Sequence, residues 1–142
     1  MEEALYTILS GAAGITALTG TAIYPVQLPQ GIGALRSALT FRRVGGFREH
    51  AMDGPTGLVE SRFIIDCWGQ TDSNGSDYAN AKNLARAVRD VVIPSGGFKS
   101  TVGGIEIQGI FLNDEDETRE DRVSGIGSVV RVSLDLQIWH KE

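Results

Sequence analysis

Between residues 129 and 139 the chain alternates strictly. Val130, Val132, Leu134, Leu136 and Ile138 fall on one side, and Arg131, Ser133, Asp135, Gln137 and Trp139 on the other. Successive side chains of an extended chain point to opposite faces, so a period of two held over this length is a strand with one buried and one open face. Such a strand does not stand alone: its apolar face needs a cover and its backbone needs partners. Residues 58–68 repeat the pattern, with Val59, Phe63, Ile65 and Cys67 opposite Glu60, Arg62 and Asp66. Shorter strands are expected at 37–44, where Leu39 and Phe41 alternate with Thr40 and Arg42 before Gly45-Gly46, and at about 105–112.

The cover comes from helical patterns. Leu5, Ile8, Leu9 and Ala12 are spaced for a helix near the N-terminus, and Ala17-Leu18 continue that face after Gly14. Tyr78, Ala81, Leu84, Ala85, Val88 and Val92 predict a second amphipathic helix after the turn-and-cap run 72–76, ended by Pro94 and Gly96-Gly97. The order helix, strand, strand, helix, strand, strand joins both strand pairs without a crossover helix. The expected fold is therefore α+β, one domain over residues 1–142, with an antiparallel-dominated sheet of about four strands and helices packed on one face. Residues 23–31 carry Pro25 and Pro29 and read as a strap outside the sheet's centre. Residues 45–57, with Asp53-Gly54-Pro55, read as a long hairpin loop.

Hydrophobic residues at 42% and charged residues at 22% are those of an ordinary globular chain. The net charge of -5 disfavours a phosphate-wrapping surface, which needs clustered Lys and Arg. No bilayer span and no basic signal segment is visible, and Met1-Glu2-Glu3 is acidic, so synthesis in a cytoplasm is expected. Cys67 is the one cysteine, which excludes an intrachain disulfide and fits a small buried hydrophobe.

Chemistry is hard to find. His50 and His140 lie in no metal or catalytic spacing and read as solvated side chains. No serine sits in a nucleophile elbow. Gly31-Ile32-Gly33 and Gly125-Ile126-Gly127 lack the third glycine and the strand-to-helix turn of a dinucleotide site. Asp114, Asp116 and Thr118 mimic calcium-loop ligands, but Arg119 stands where such a loop bends on glycine. No catalytic residue, metal site or cofactor is expected.

Three groups remain as candidates for contact. Arg48, Glu49, His50 and Asp53 sit on the expected hairpin loop. Trp68 and Trp139 fall by parity on the polar faces of their strands, where aromatic residues suit a subunit interface. Asp114, Glu115, Asp116 and Glu117 form an acidic connection that is either a solvated loop or a surface repelling phosphate.

The succession Ala17-Leu18-Thr19-Gly20, Ile23-Tyr24-Pro25, Leu28-Pro29-Gln30, Leu39-Thr40-Phe41, Phe63-Ile64-Ile65-Asp66-Cys67-Trp68-Gly69 and Tyr78-Ala79-Asn80-Ala81 resembles the tail completion, or tail terminator, family of long-tailed phages and related gene transfer agents. The resemblance lies in the order and spacing of these elements. It implies a non-enzymatic virion protein forming a hexameric ring on the head-proximal end of the tail tube, in which Asp114, Glu115, Asp116 and Glu117 would be candidates for an acidic lumen or rim. Its implied partners are further copies of itself, the major tail tube protein and a head-tail connector or neck protein, with DNA passing through unbound and no membrane contact. Localisation would be the virion tail or neck, after assembly in the bacterial host cytoplasm. A neck or head-completion adaptor is the alternative, and a small ligand- or nucleic-acid-binding module a more distant one.

Overall fold

A computed structural model describes residues 1–26, 37–70, 76–121 and 128–141. Its elements are α1 (Glu2–Ser10), α2 (Ala13–Thr19), β1 (Ile23–Pro25), β2 (Ser37–Ala51), β3 (Gly54–Gln70), α3 (Asp77–Val92), β4 (Ser100–Val102), β5 (Ile105–Asp121) and β6 (Ser128–Lys141). They build one sheet in the order β1-β2-β3-β6-β5-β4, antiparallel except where β1 runs parallel to β2.

The alternation dictates where the core lies. Leu39, Phe41, Phe63, Ile65, Cys67, Val132, Leu134, Leu136 and Ile138 point to one sheet face, where Leu5, Leu9 and Ile15 of α1 and α2 and Leu84, Ala85, Val88 and Val92 of α3 meet them. All three helices cover this face. Ser76 caps α3 by accepting a hydrogen bond from the Ala79 N–H at 3.2 Å. Asn80 Nδ2 donates to the Gln70 carbonyl at 2.6 Å and ties the first turn of α3 to the end of β3. Burial pushes the Cys67 thiol far up from its ordinary range, so it stays protonated and serves packing.

Several expectations need correction. Among the described residues the sheet has six strands where about four were expected, the additions being the three-residue edge strands β1 and β4. Pro25 fits β1 because an edge strand has a side that needs no donor; the strap beyond Val26 lies outside the described residues. The long loop expected at 45–57 is strand: β2 and β3 stay paired out to Ala51 and Gly54, leaving only Met52 and Asp53 as the turn. From Arg42 to Ala51 both faces of β2 are exposed, so no apolar alternation records the strand. The acidic connection at 114–121 is also strand, paired with β6 throughout. His140 is buried, its Nε2 2.9 Å from the buried Ser61 Oγ. Its parity places it on the covered face, where both groups are buried. The two glycine clusters, 31–33 and 125–127, and most of the run before α3 lie outside the described residues.

Candidate interaction face

The sheet face opposite the helices carries no covering layer among the described residues, and the strand registers order its side chains in rows. One row runs Arg42, Ile64, Asp135, Asp114; the next, toward the start of β6, runs Thr40, Asp66, Ser133, Asp116; the next, Ala38, Trp68, Arg131, Thr118. In the other direction lie Gly45, Arg62, Gln137, Phe111, and then Phe47, Glu60, Trp139, Gly109. Carboxylates and guanidinium groups share this face. Arg62 forms a two-pronged pair with Asp135, which holds the guanidinium more firmly protonated than usual. Ser133 Oγ donates to Asp66 at 2.6 Å.

Both tryptophans lie on this face, as their parity requires. Trp68 donates from Nε1 to Thr40 Oγ1 at 3.1 Å, and Arg131 lies over its ring at 5.4 Å. Trp139 meets Phe47 edge to face with centroids 5.7 Å apart. Phe47 and Phe111 are more than half exposed, at 53% and 55%. Phe111 and Trp139, with Leu58 and Gly109, border a shallow pocket of about 600 Å³.

Arg48, Glu49, His50 and Asp53 gather at the far end of the β2–β3 hairpin, all exposed. Thr56 Oγ1 donates to the Glu49 carbonyl at 3.2 Å and stiffens that end. The hairpin is thus a structured arm with polar groups at its tip.

The acidic quartet is not one patch. On a strand its members alternate, and the structure sends them two ways. Glu115 and Glu117 face α3, where Arg89 Nη1 pairs with Glu115 at 2.9 Å and Lys82 with Glu117. The Glu117 hydrogen bond raises the affinity of the Lys82 amine for its proton. One turn on, Arg119 lies 3.3 Å from Asp77 of α3. Asp114 and Asp116 belong to the open face, each accepting from the next residue's N–H through Oδ1, at 2.9 and 2.8 Å. Glu115→Gln with Glu117→Gln is accordingly expected to cost about 1 kcal/mol of stability in total, the scale of partly exposed ion pairs. Asp114→Asn with Asp116→Asn, which keeps the accepting oxygens, should change it by less than about 0.5 kcal/mol. Equal urea midpoints for the two double variants would contradict this division.

Among the described residues no group of three or more His, Cys, Asp or Glu is placed to hold a metal ion, and no helix is long and apolar enough to cross a membrane. A family model described as Tail completion protein gp17 matches residues 3–141. The chain belongs to that family. It is thereby a tail completion protein, a structural component of phage-type virions. Among solved structures, a chain of the "Virion of native gene transfer agent (GTA) particle" shares its fold, with a TM-score of 0.72 and 22% identity over 100% of this chain and 95% of the other. No curated protein sequence matched.

In this tail completion protein Trp68 and Trp139 lie on the open face and Arg48, Glu49, His50 and Asp53 at the hairpin tip, while Phe47, Phe111 and the glycines beside them were not among the expected contact residues. Aromatic residues stranded in polar, glycine-rich segments were the available signal.

Proposed function

We propose that the chain closes the head-proximal end of the tail tube as a homohexameric ring, ends tube polymerisation and offers the surface to which the neck of the head is joined. The observation that carries this reading is family membership across residues 3–141. Its partners are its own copies, the major tail tube protein and a head-tail connector or neck protein. The role is one of assembly and not catalysis, and the whole chain acts as one domain. The projecting arm with Arg48, Glu49, His50 and Asp53 is the element suited to reach a partner, since its tip contributes nothing to the core. Asp114 and Asp116 remain candidates for a lumen or rim that repels DNA, whereas Glu115 and Glu117 are committed to α3.

The test uses tube protein assembled with and without this chain. With it, tubes should stop at a uniform length and carry a cap of about 91 kDa, six times the 15.2 kDa chain. Tubes of unchanged length distribution, with no added density at either end, would refute the reading.

A further inference from the structure

The sheet has two unfinished edges, and they match. Among the described residues β1 covers the outer side of β2 only at Leu39–Phe41, and β4 covers the outer side of β5 only at Ile105–Ile107. Between these short guards each edge is open over the same set of rows, from the row of Arg42 and Asp114 to the row of Phe47 and Gly109. Open edges of this kind are templates for another strand.

What each edge offers is complementary to the other. The row that ends in Arg42 on β2 ends in Asp114 on β5. The row that ends in Gly45 on β2 ends in the exposed Phe111 on β5, and the row that ends in the exposed Phe47 on β2 ends in Gly109 on β5. Each edge also carries a register shift within these rows, between Arg43 and Gly45 on β2 and between Leu112 and Asp114 on β5, on opposite sides of the row of Phe63 and Leu136. β2 and β5 run in opposite directions, because three antiparallel steps separate them.

We propose that the β2 edge of one copy docks against the β5 edge of the next, as an antiparallel seam between neighbouring copies of this chain. Rotation about an axis roughly along the strands keeps rows level. It therefore sets Arg42 against Asp114 of the neighbour, and each exposed phenyl ring over a glycine. Open space surrounds a Cβ position at Gly45, so a ring can lie there; at Gly109 the Phe111 ring of the same chain lies 3.0 Å from a Cβ position, and its turn toward the neighbour's Gly45 clears the place for Phe47. Opposite charges and aromatic groups laid over glycine are both favourable cross-strand pairs. The contact joins two different edges and is heterologous, the kind that closes a ring when the rotation completes a circle. This inference rests on the ring reading and names its interface.

The experiment places two cysteines in one chain, Arg42→Cys with Asp114→Cys, and assembles it on tube ends under mild oxidation. Paired positions on adjacent strands are close enough for a disulfide, and the native Cys67 is buried. A non-reducing denaturing gel should show a ladder of covalent oligomers, with none from either single variant. In parallel, Arg42→Asp and Asp114→Arg should each weaken capping by about tenfold or more, and the two together in one chain should restore it. Melting curves of the variants verify that each is folded. If wild-type chains form no ring on tube ends, the ring reading fails and the seam with it. If wild-type rings form but the double-cysteine chain gives no ladder, or the single Arg42→Cys variant dimerises, the seam alone is wrong.

Discussion

Gly69→Val is expected to cost about 3 kcal/mol of stability, and Gly69→Ala about 2 kcal/mol, the upper part of the range for overfilled interiors. Gly69 lies where β3 ends beneath the first turn of α3. A Cβ there would stand 2.5 Å from the Asp77 carbonyl oxygen and 2.9 Å from the Ala81 Cα, against helix backbone that cannot rotate aside. The helix would have to lift from the sheet. That movement would strain the Asn80 hydrogen bond to the Gln70 carbonyl and the Arg119–Asp77 contact, and would loosen Ala81 and Leu84 from the core. In a domain whose total stability is about 5–15 kcal/mol, a loss of this size moves the denaturation midpoint plainly. A urea midpoint for Gly69→Val within error of wild type would mean that α3 is seated differently from this description.

The parts of the fold legible in the sequence are those where apolar side chains alternate against a cover. β6 and the inner half of β3 show themselves this way, and so does α3, whose apolar stripe and serine cap share one segment. The arm was illegible because neither of its faces is buried, so the pattern that marks a half-buried strand has nothing to record. The acidic strand was illegible for another reason. Its covered face packs on α3 through Glu115–Arg89 and Glu117–Lys82 pairs, so charge stands where apolar residues would have announced a strand. His140 was misjudged although its own strand shows that it shares the parity of Leu136 and Ile138. The polar face carrying Trp68 and Trp139 was readable from parity, but its two matching edges were not. They come from strand order and register, which join residues far apart in the chain.

Gly46→Ala is expected to cost about 2–3 kcal/mol, while Gly45→Ala, one residue earlier, should change stability by less than about 1 kcal/mol. The two glycines look interchangeable in the sequence and differ in the structure. Gly46 has φ 148, a backbone conformation that residues with a Cβ rarely adopt. A methyl group there would overlap the Glu60 carbonyl oxygen and come within 3.1 Å of the Ser61 Cα, both on the paired strand β3. Relief would require β2 to swing away from β3 just past its register shift. Because Glu60 and Ser61 also pair with Trp139 and Ile138 of β6, the disturbance would reach the centre of the sheet. Gly45 meets nothing within 4 Å at its Cβ position, so its methyl group costs the isolated chain little. Urea midpoints and amide exchange in the arm test the contrast: exchange between residues 47 and 59 should quicken in Gly46→Ala and stay near wild type in Gly45→Ala. Matching midpoints and exchange in the two variants would show that the arm does not leave the sheet through Gly46. A folded Gly45→Ala chain then also probes assembly, since its added methyl lies under the position that the seam gives to Phe111 of a neighbour, and normal stability with weakened capping is the expected pairing of results.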